Sequence, residues 1–479
     1  HSATECAEEN AIIARIQAHA VERTGGYFVA THVDDPAWGD EWAKGATDTK
    51  VPFEEVSVTE VLKAEPRVNP KISRAFKVED GSVDGWQMVW SAANSAKLYG
   101  AQILTYHRVT KIERDGDRVA QVICTDEKTG EQVRINTNFV LNCAAAWGGQ
   151  IAHMAGCPDV QVVPGAGIMI AMNHRLTNSV VNRLTYPADG DILVPVHTVC
   201  IIGTTDQKAD DPDRLEIAWD EVQQMMDCGE LLVPGFRKAR AIHAWAGARP
   251  LVKDSRVGSG DTRHMSRGMS IIDHSERDGL KGLLTIAGGK LTTYRLMAEN
   301  VVNAMCEQLG ESRPCRTADE QVPGSEDKKN YVITHRLEDR EEDRLDDQII
   351  CECELMSKQM FTELVEENPD ATLDDLRRRL RLGMGPCQGG FCSTRAAGLL
   401  CTNGIQDSAG ATLELREFMK HRWMGLWPIL AGAQVRQTAL DEWIMRGTLD
   451  IDHAPGDDNP PERYPVGVPA DSESVEVAR

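Results

Sequence analysis

Two cysteine pairs near the C-terminus carry the clearest chemistry. "IICECEL" supplies Cys351 and Cys353, and "GPCQGGFC" supplies Cys387 and Cys392, so the pattern is C-x-C, 33 residues, then C-x4-C. Four clustered thiolates select zinc or iron–sulfur. Structural zinc takes its cysteines in knuckles spaced by two to four residues, and a C-x-C pair is tight for that purpose. Thiolates two apart suit one edge of a flat 2Fe-2S cluster, and the x4 gap matches one interval of the plant-type arrangement. A 2Fe-2S cluster on Cys351, Cys353, Cys387 and Cys392 is therefore expected, with zinc, a disulfide pair or incidental thiols as the alternatives.

A second group lies in "IAGGKLTTYR". A strand that ends in Gly288-Gly289 and feeds a helix aims free backbone N–H groups and a helix dipole at whatever sits above it, which suits an anion or an electron-rich ring. Lys290 adds a full charge there. Upstream, "AWAGARPL" presents Arg249, whose guanidinium could clamp a phosphate bidentately. Taken singly, each of these cations reads more readily as a surface salt-bridge residue.

Particular elements must position these groups. "TLDDLRRRLRLG" predicts a helix with Thr372 as N-cap, Leu373, Leu376 and Leu380 on one face, and Gly383 closing it. After Cys387, Gly389 and Gly390 let backbone N–H groups approach sulfur, and "STRAAGLL" predicts a helix whose positive end faces an anionic cluster. Upstream, "AIIARIQAHA" opens the chain as a helix with Ile12, Ile13, Ile16 and Ala20 on one face. From about 72 to 142 a helix over "WQMVWSAANSAKLYG" and alternating strands turn at Asp115-Gly116 and Thr129-Gly130. Residues 160–280 are rich in strand signals, with one helix near 217–231. The stretch 318–348 is polar and charged and reads as a linker, and the tail 451–479 reads as disordered.

Composition sets the frame. At 479 residues and 41% hydrophobic content the chain has room for two to four domains with ample core. No run approaches 18 consecutive apolar residues, so a membrane span is not expected. The 13 cysteines are scattered, as in a reducing cytoplasm. A net charge of −22 argues against a nucleic-acid partner. Lysines number 17 against 35 arginines, a balance that fits either a high-salt cytoplasm or an ordinary acidic enzyme.

Together "HAWAGARPL", "IIGTTD", "SRGMSIIDH", "GGKLTTYRLMAE" and "NCAAAWGGQIA", followed by the four-cysteine module, resemble the FAD-dependent glycerol-3-phosphate dehydrogenases. Their order and the C-terminal extension are similar to those of the anaerobic branch and its large A subunits, over roughly residues 2–450. The cysteine module resembles the bacterioferritin-associated-ferredoxin-like 2Fe-2S domain. The implied fold is α/β (α+β): an FAD-binding Rossmann-like domain over 1–317 with antiparallel substrate-cap strands at about 160–280. The acidic linker at 318–348 and a small helical 2Fe-2S domain at 349–450 follow.

The resemblance implies oxidation of sn-glycerol 3-phosphate to dihydroxyacetone phosphate by hydride transfer to FAD. Electrons would then pass through the cluster to electron-transfer and membrane-anchor subunits and a quinone pool, with the chain peripheral on the cytoplasmic face of the membrane. It implies Arg249, Arg267 and Lys290 as substrate contacts. It implies Gly288, Gly289, Leu291 and Thr292 as the flavin-facing turn, and Ala145, Trp147 and Gly148 near the FAD dinucleotide. Thr204, Thr205 and Asp206 fit either a supporting role or a tight turn. Two departures stand out. The family's strand–GxGxxG–helix is absent, so the ADP-binding segment is expected to be missing from these residues and FAD to bind poorly to them alone. "PGAGIM" carries Ala166 where relatives often have Lys. The competing readings are a related FAD-dependent amine or amino-acid oxidoreductase and a non-catalytic iron–sulfur electron-transfer subunit.

Overall fold

Strand alternation and glycine turns build the three-stranded sheet of residues 107–136 where the sequence predicts it. The hairpin His107–Asp115 to Arg118–Asp126 reverses at Gly116, whose φ of 59° suits a residue without a side chain, and Gln132–Asn136 adds a third strand. The structure is a computed structural model that describes residues 2–252, 268–343 and 347–453. Two compact units divide the chain: His1–Ala239 with Ala244–Val332, and Arg240–His243 with Ile333–Arg479.

A nine-stranded sheet lies in the first unit except for residues 241–243 of its last strand. Its path runs Gln207–Lys208, Val162–Met172, Val199–Gly203, Ile192–Val196, Val180–Arg183, Gly26–Ala30, Arg74–Val78 and Phe53–Val56, and Ala241–Val252 branches off Val162–Met172. Neighbours along the path are antiparallel except Val180–Arg183, which lies parallel to Gly26–Ala30. The sheet therefore reaches beyond the strand-rich stretch 160–280 and takes in three strands from 26–78. Trp42 fixes that end, with its ring 4.7 Å from Phe28, 5.4 Å from Phe53 and 4.9 Å from Phe76.

A smaller sheet carries the parallel pairing that a dinucleotide fold requires. Leu283–Ala287 is buried throughout, lies parallel to Val140–Asn142 and antiparallel to Ser270–Asp273. Burial at every position is what a strand covered on both faces demands. The N-terminal helix, Ser2–Ile16, is tied to the segment that follows this strand. Arg295 forms a buried two-point pair with Glu9 at 2.5 and 2.9 Å, and the Tyr294 hydroxyl donates to Gln17 Oε1 at 2.5 Å.

The second unit packs the helices Lys358–Glu367, Leu373–Leu380, Cys392–Thr402 and Ser408–Leu426 around Phe361, Leu373, Leu376, Leu380, Leu400 and Phe418. Thr372 caps its helix as expected, accepting from the Asp375 N–H at 3.1 Å while the Asp375 carboxylate accepts from Thr372 N–H. The helix stops at Leu380, earlier than Gly383, because Arg381 takes the left-handed conformation with φ 62°. Part of the stretch read as a linker is helical, Ile333–Asp343. Ile451 is buried with Ala411, Leu415 and Met445, so ordered packing continues past residue 450. The tail beyond residue 453 lies outside the described residues. Among the described residues no helix is long and apolar enough to cross a membrane.

Candidate functional site

The turn after Leu283–Ala287 and the turn after Val140–Asn142 leave the same edge of the small sheet, because these strands are parallel in the register Leu283 with Val140 through Thr285 with Asn142. Ligands of open α/β sheets bind beyond such carboxyl ends. Gly288 and Gly289 make their turn with φ of 78° and 73°. A Cβ on Gly288 would strike the Gly268 carbonyl oxygen, and one on Gly289 would strike Met297 Sδ. Only glycine fits both places, and the chain then presents Lys290 and Leu291 exposed and Thr292 half-buried. Lys290 makes no ion pair with a described residue. Across the edge, Ala145–Trp147 form a 3₁₀ turn that leads into the helix Gly148–Met154, and Trp147 Nε1 donates to Asp213 at 3.0 Å. A cleft lined by Ala146, Gly149, Gln150 and Lys208 opens beside it.

A buried chain of hydrogen bonds braces the two strand ends together. Asn142 Nδ2 donates to the Gly148 carbonyl at 2.8 Å and to Thr285 Oγ1 at 3.0 Å, and Thr285 Oγ1 lies 2.8 Å from His274 Nε2. His274 Nδ1 lies 2.6 Å from Asp278. Burial pushes the His274 imidazole below its ordinary pKa, against the pull of Asp278. The neutral ring can then donate from Nδ1 to the carboxylate and accept the threonine hydroxyl at Nε2. Cys157, His274 and Asp278 bring their ligand atoms within 4.8 Å of one another. Arg114 also donates to Cys157 Sγ at 3.5 Å, so the cluster is satisfied by the protein and reads as a brace. Sequence reasoning assigns nothing to Asn142, His274 or Thr285; the buried polar residues at the strand ends are the available signal.

Arg249, on Ala241–Val252, does not stand free. Its Nη1 pairs with Asp206 at 3.2 Å and approaches the Ala166 carbonyl at 3.3 Å, while Nη2 donates to Thr204 Oγ1 and the Thr205 carbonyl, each at 3.0 Å. The side chain keeps 25% of its surface exposed, against 6% for Asp206. Gly167 is glycine because a Cβ there would collide with this guanidinium and with Thr204. Thr204, Thr205 and Asp206 thus hold Arg249 in place. Arg267 lies outside the described residues. His243, the one histidine near Arg249 in sequence, belongs to the second unit, where its ring packs against Gly425 and burial pushes its pKa down to about 4.

In the second unit the four cysteines come together. Cys353 Sγ lies 3.8 Å from Cys387 Sγ, Cys351 hydrogen-bonds to Cys392, and Cys387 also touches Cys392. Backbone N–H groups converge on the sulfurs: Gly389 and Phe391 on Cys387, Glu354 and Gly383 on Cys351, and Cys387 on Cys353. The thiols of Cys353 and then Cys392 hold Cys387 well below the usual thiol range, and Cys392 holds Cys351 down; Cys353 and Cys392 are pushed up in return. Cys392 opens the helix Cys392–Thr402. Gly383 and Gly389 are glycines because a Cβ on either would meet Phe418, at 2.5 and 2.6 Å. Among the described residues no three of the four sulfurs lie within 4.8 Å of one another. They form a string of close pairs, whereas a tetrahedral zinc with bonds of about 2.3 Å would need every sulfur–sulfur edge near 3.8 Å.

The donor sets fit the groups expected from the sequence: backbone N–H groups and a cation around a side-chain-free turn would suit FAD, and four sulfurs cradled by N–H groups would suit a two-iron cluster. Comparison with known proteins agrees on the first unit. The model of the family described as FAD dependent oxidoreductase matches residues 3–295. The A subunit of the anaerobic glycerol-3-phosphate dehydrogenase of Escherichia coli K12 is 37% identical over 472 residues, covering 94% of this chain and 86% of the relative. The A1 subunit of that enzyme from Haloferax volcanii is 36% identical over 483 residues, covering 95% and 82%. Among solved structures, the FAD-complexed glycerol-3-phosphate dehydrogenase from Bacillus halodurans superposes with a TM-score of 0.53 at 18% identity, over 92% of this chain and 76% of that one.

Proposed function

This chain belongs to the FAD dependent oxidoreductase family and, within it, to the A subunits of anaerobic glycerol-3-phosphate dehydrogenase, and from that premise we propose that it oxidises sn-glycerol 3-phosphate to dihydroxyacetone phosphate. The observation that carries the reading is one chain holding both a side-chain-free turn at parallel strand ends and a four-sulfur site. When bound, FAD would accept the hydride from C2 of the substrate, and a 2Fe-2S cluster would carry the electrons onward singly.

The chain's own residues do the rest. Gly288 and Gly289 let the backbone approach the flavin face, and Leu291 and Thr292 line that turn. Lys290 and the remaining exposed edge of the Arg249 guanidinium hold the substrate phosphate, with Arg267 as a third cation. Asp206 and Thr204 fix the fork of Arg249, so little rotamer freedom is lost on binding. Ala145, Trp147 and Gly148 receive the dinucleotide, and the Asn142–Thr285–His274 chain keeps both turns in register. Cys351, Cys353, Cys387 and Cys392 hold the 2Fe-2S cluster, whose two irons suit close sulfur pairs better than a single zinc does. Electrons leave to partner subunits that reach a quinone pool, with the chain seated on the cytoplasmic face of the membrane through those partners.

Anaerobic titration of the purified holoprotein tests this. Addition of sn-glycerol 3-phosphate is expected to bleach the flavin band and then generate the paramagnetic signal of the reduced cluster. Bleaching by amino acids with no response to glycerol 3-phosphate would replace the reading with that of an amine oxidoreductase.

A further inference from the structure

Beside the backbone of Cys387, a buried arginine is only half satisfied. Arg422 sits on the helix Ser408–Leu426 and is 4% exposed. Its Nη2 pairs with Asp441 at 2.5 Å and lies 3.5 Å from the carbonyl oxygen of Cys387. Its Nε and Nη1 are buried, and neither has a hydrogen-bond partner among the described residues. Folded proteins rarely leave charged donors so, because each loses its water without a replacement. Asp441 is itself buried and also accepts from Gln437 at 3.1 Å, so it cannot turn to serve the remaining donors without giving up these bonds. A second cation stands on the same side: Arg240 donates to the Pro386 carbonyl at 3.2 Å and to Gln434 at 3.1 Å. Positive charge and spare N–H donors are thus gathered at Cys387.

We propose that Arg422 sets the reduction potential of the iron–sulfur centre: its spare N–H groups are available to the bound centre, and its charge, oriented by Asp441 and held against the Cys387 carbonyl, favours the reduced form. The proposal rests on the four cysteines holding a 2Fe-2S cluster. Such a cluster is anionic and gains one further negative charge on reduction, so a nearby fixed cation and hydrogen bonds to sulfur raise its potential. Asp441 acts in the opposite sense, which gives the pair a signature that a merely structural role would not produce. Removing the cation lowers the potential, and removing its counter-charge raises it.

The experiment is a redox titration of the cluster by electron paramagnetic resonance in the full-length holoprotein, using dithionite and mediators, with iron and labile sulfide measured beside it. Arg422→Gln is expected to keep the wild-type iron and sulfide content and to shift the one-electron equilibrium about tenfold toward the oxidised form, a midpoint about 59 mV more negative. Arg422→Lys, which keeps the charge and loses the fork, is expected to fall between. Asp441→Asn is expected to move the midpoint upward. Unchanged midpoints in cluster-loaded Arg422→Lys and Asp441→Asn would overturn the proposal, and these two variants decide it should Arg422→Gln fail to load iron. Absence of iron and sulfide from the wild-type protein would instead overturn the cluster reading beneath it.

Discussion

At the scale of single residues, the chemistry that was legible was local. The cysteines declared themselves through spacing alone, and Thr372 and Gly289 through rules that span a few positions. The partners of Arg249 were harder to assign, because Asp206 lies 43 residues away and only the fold brings them together. That pairing sharpens a prediction. Arg249→Lys keeps a charge opposite Asp206 but loses the fork that meets a phosphate at two points, so kcat/KM for glycerol 3-phosphate should fall about tenfold, or about 1.4 kcal/mol, with little change in melting temperature. Kinetics matching the wild type would return Arg249 to a purely structural ion pair. His243 makes a pH prediction. Burial lowers its folded pKa to about 4 from 6.5, so the folded state resists the proton that the unfolded chain takes up. Stability from this group is whole above pH 6.5 and is lost as pH falls toward 4, at up to about 1.4 kcal/mol per pH unit. Thermal unfolding of wild type and His243→Gln between pH 7 and 5 should show the shallower slope in the variant.

At the scale of elements, the sequence exposed periodicity and caps but not register. The strand Leu283–Ala287 and its glycine turn were readable from "GLLTIAGGK". Its parallel neighbour Val140–Asn142 is three residues long and about 140 positions upstream, and nothing in its sequence names its partner. The strands Gly26–Ala30 and Phe53–Val56 escaped for a similar reason. They are short, and their place in the large sheet is decided by the packing of Trp42 against three phenylalanines. The glycine turn can be tested directly. Gly289→Ala must adopt a left-handed conformation costing roughly 1–2 kcal/mol and must also push Met297 aside. The variant should melt lower and bind less FAD. Gly289→Ala with Met297→Ala should recover only the steric part, since the backbone cost stays. Full recovery of FAD content in the double variant would show that the collision, and not the backbone, is what glycine avoids.

At the scale of the whole molecule, one unit holds the side-chain-free turn at parallel strand ends and the other the four sulfurs among helices, and the sequence signals for a second unit are the cysteine spacing and the polar stretch at 318–348. The boundary itself was not legible, since residues 240–243 join the second unit although they precede it by some ninety positions. Charge is the property that belongs to the entire chain. At −22 the surface repels itself, and Arg422, one of the cations that could offset it, is buried. Many surface pairs, such as Arg108 with Glu127 and Arg446 with Glu442, are well exposed and contribute little each. Salt therefore weakens small attractions and a larger collective repulsion together. The Debye length shrinks from about 10 Å at 0.1 M to about 3 Å at 1 M, which removes the long-range repulsion first. Melting temperature should then rise with potassium chloride between 0.1 and 1 M, by roughly 1 °C for each kcal/mol of repulsion screened. Scanning calorimetry across that range decides it: a melting temperature that falls with salt would mean the surface ion pairs, and not the net charge, dominate the electrostatics of the fold.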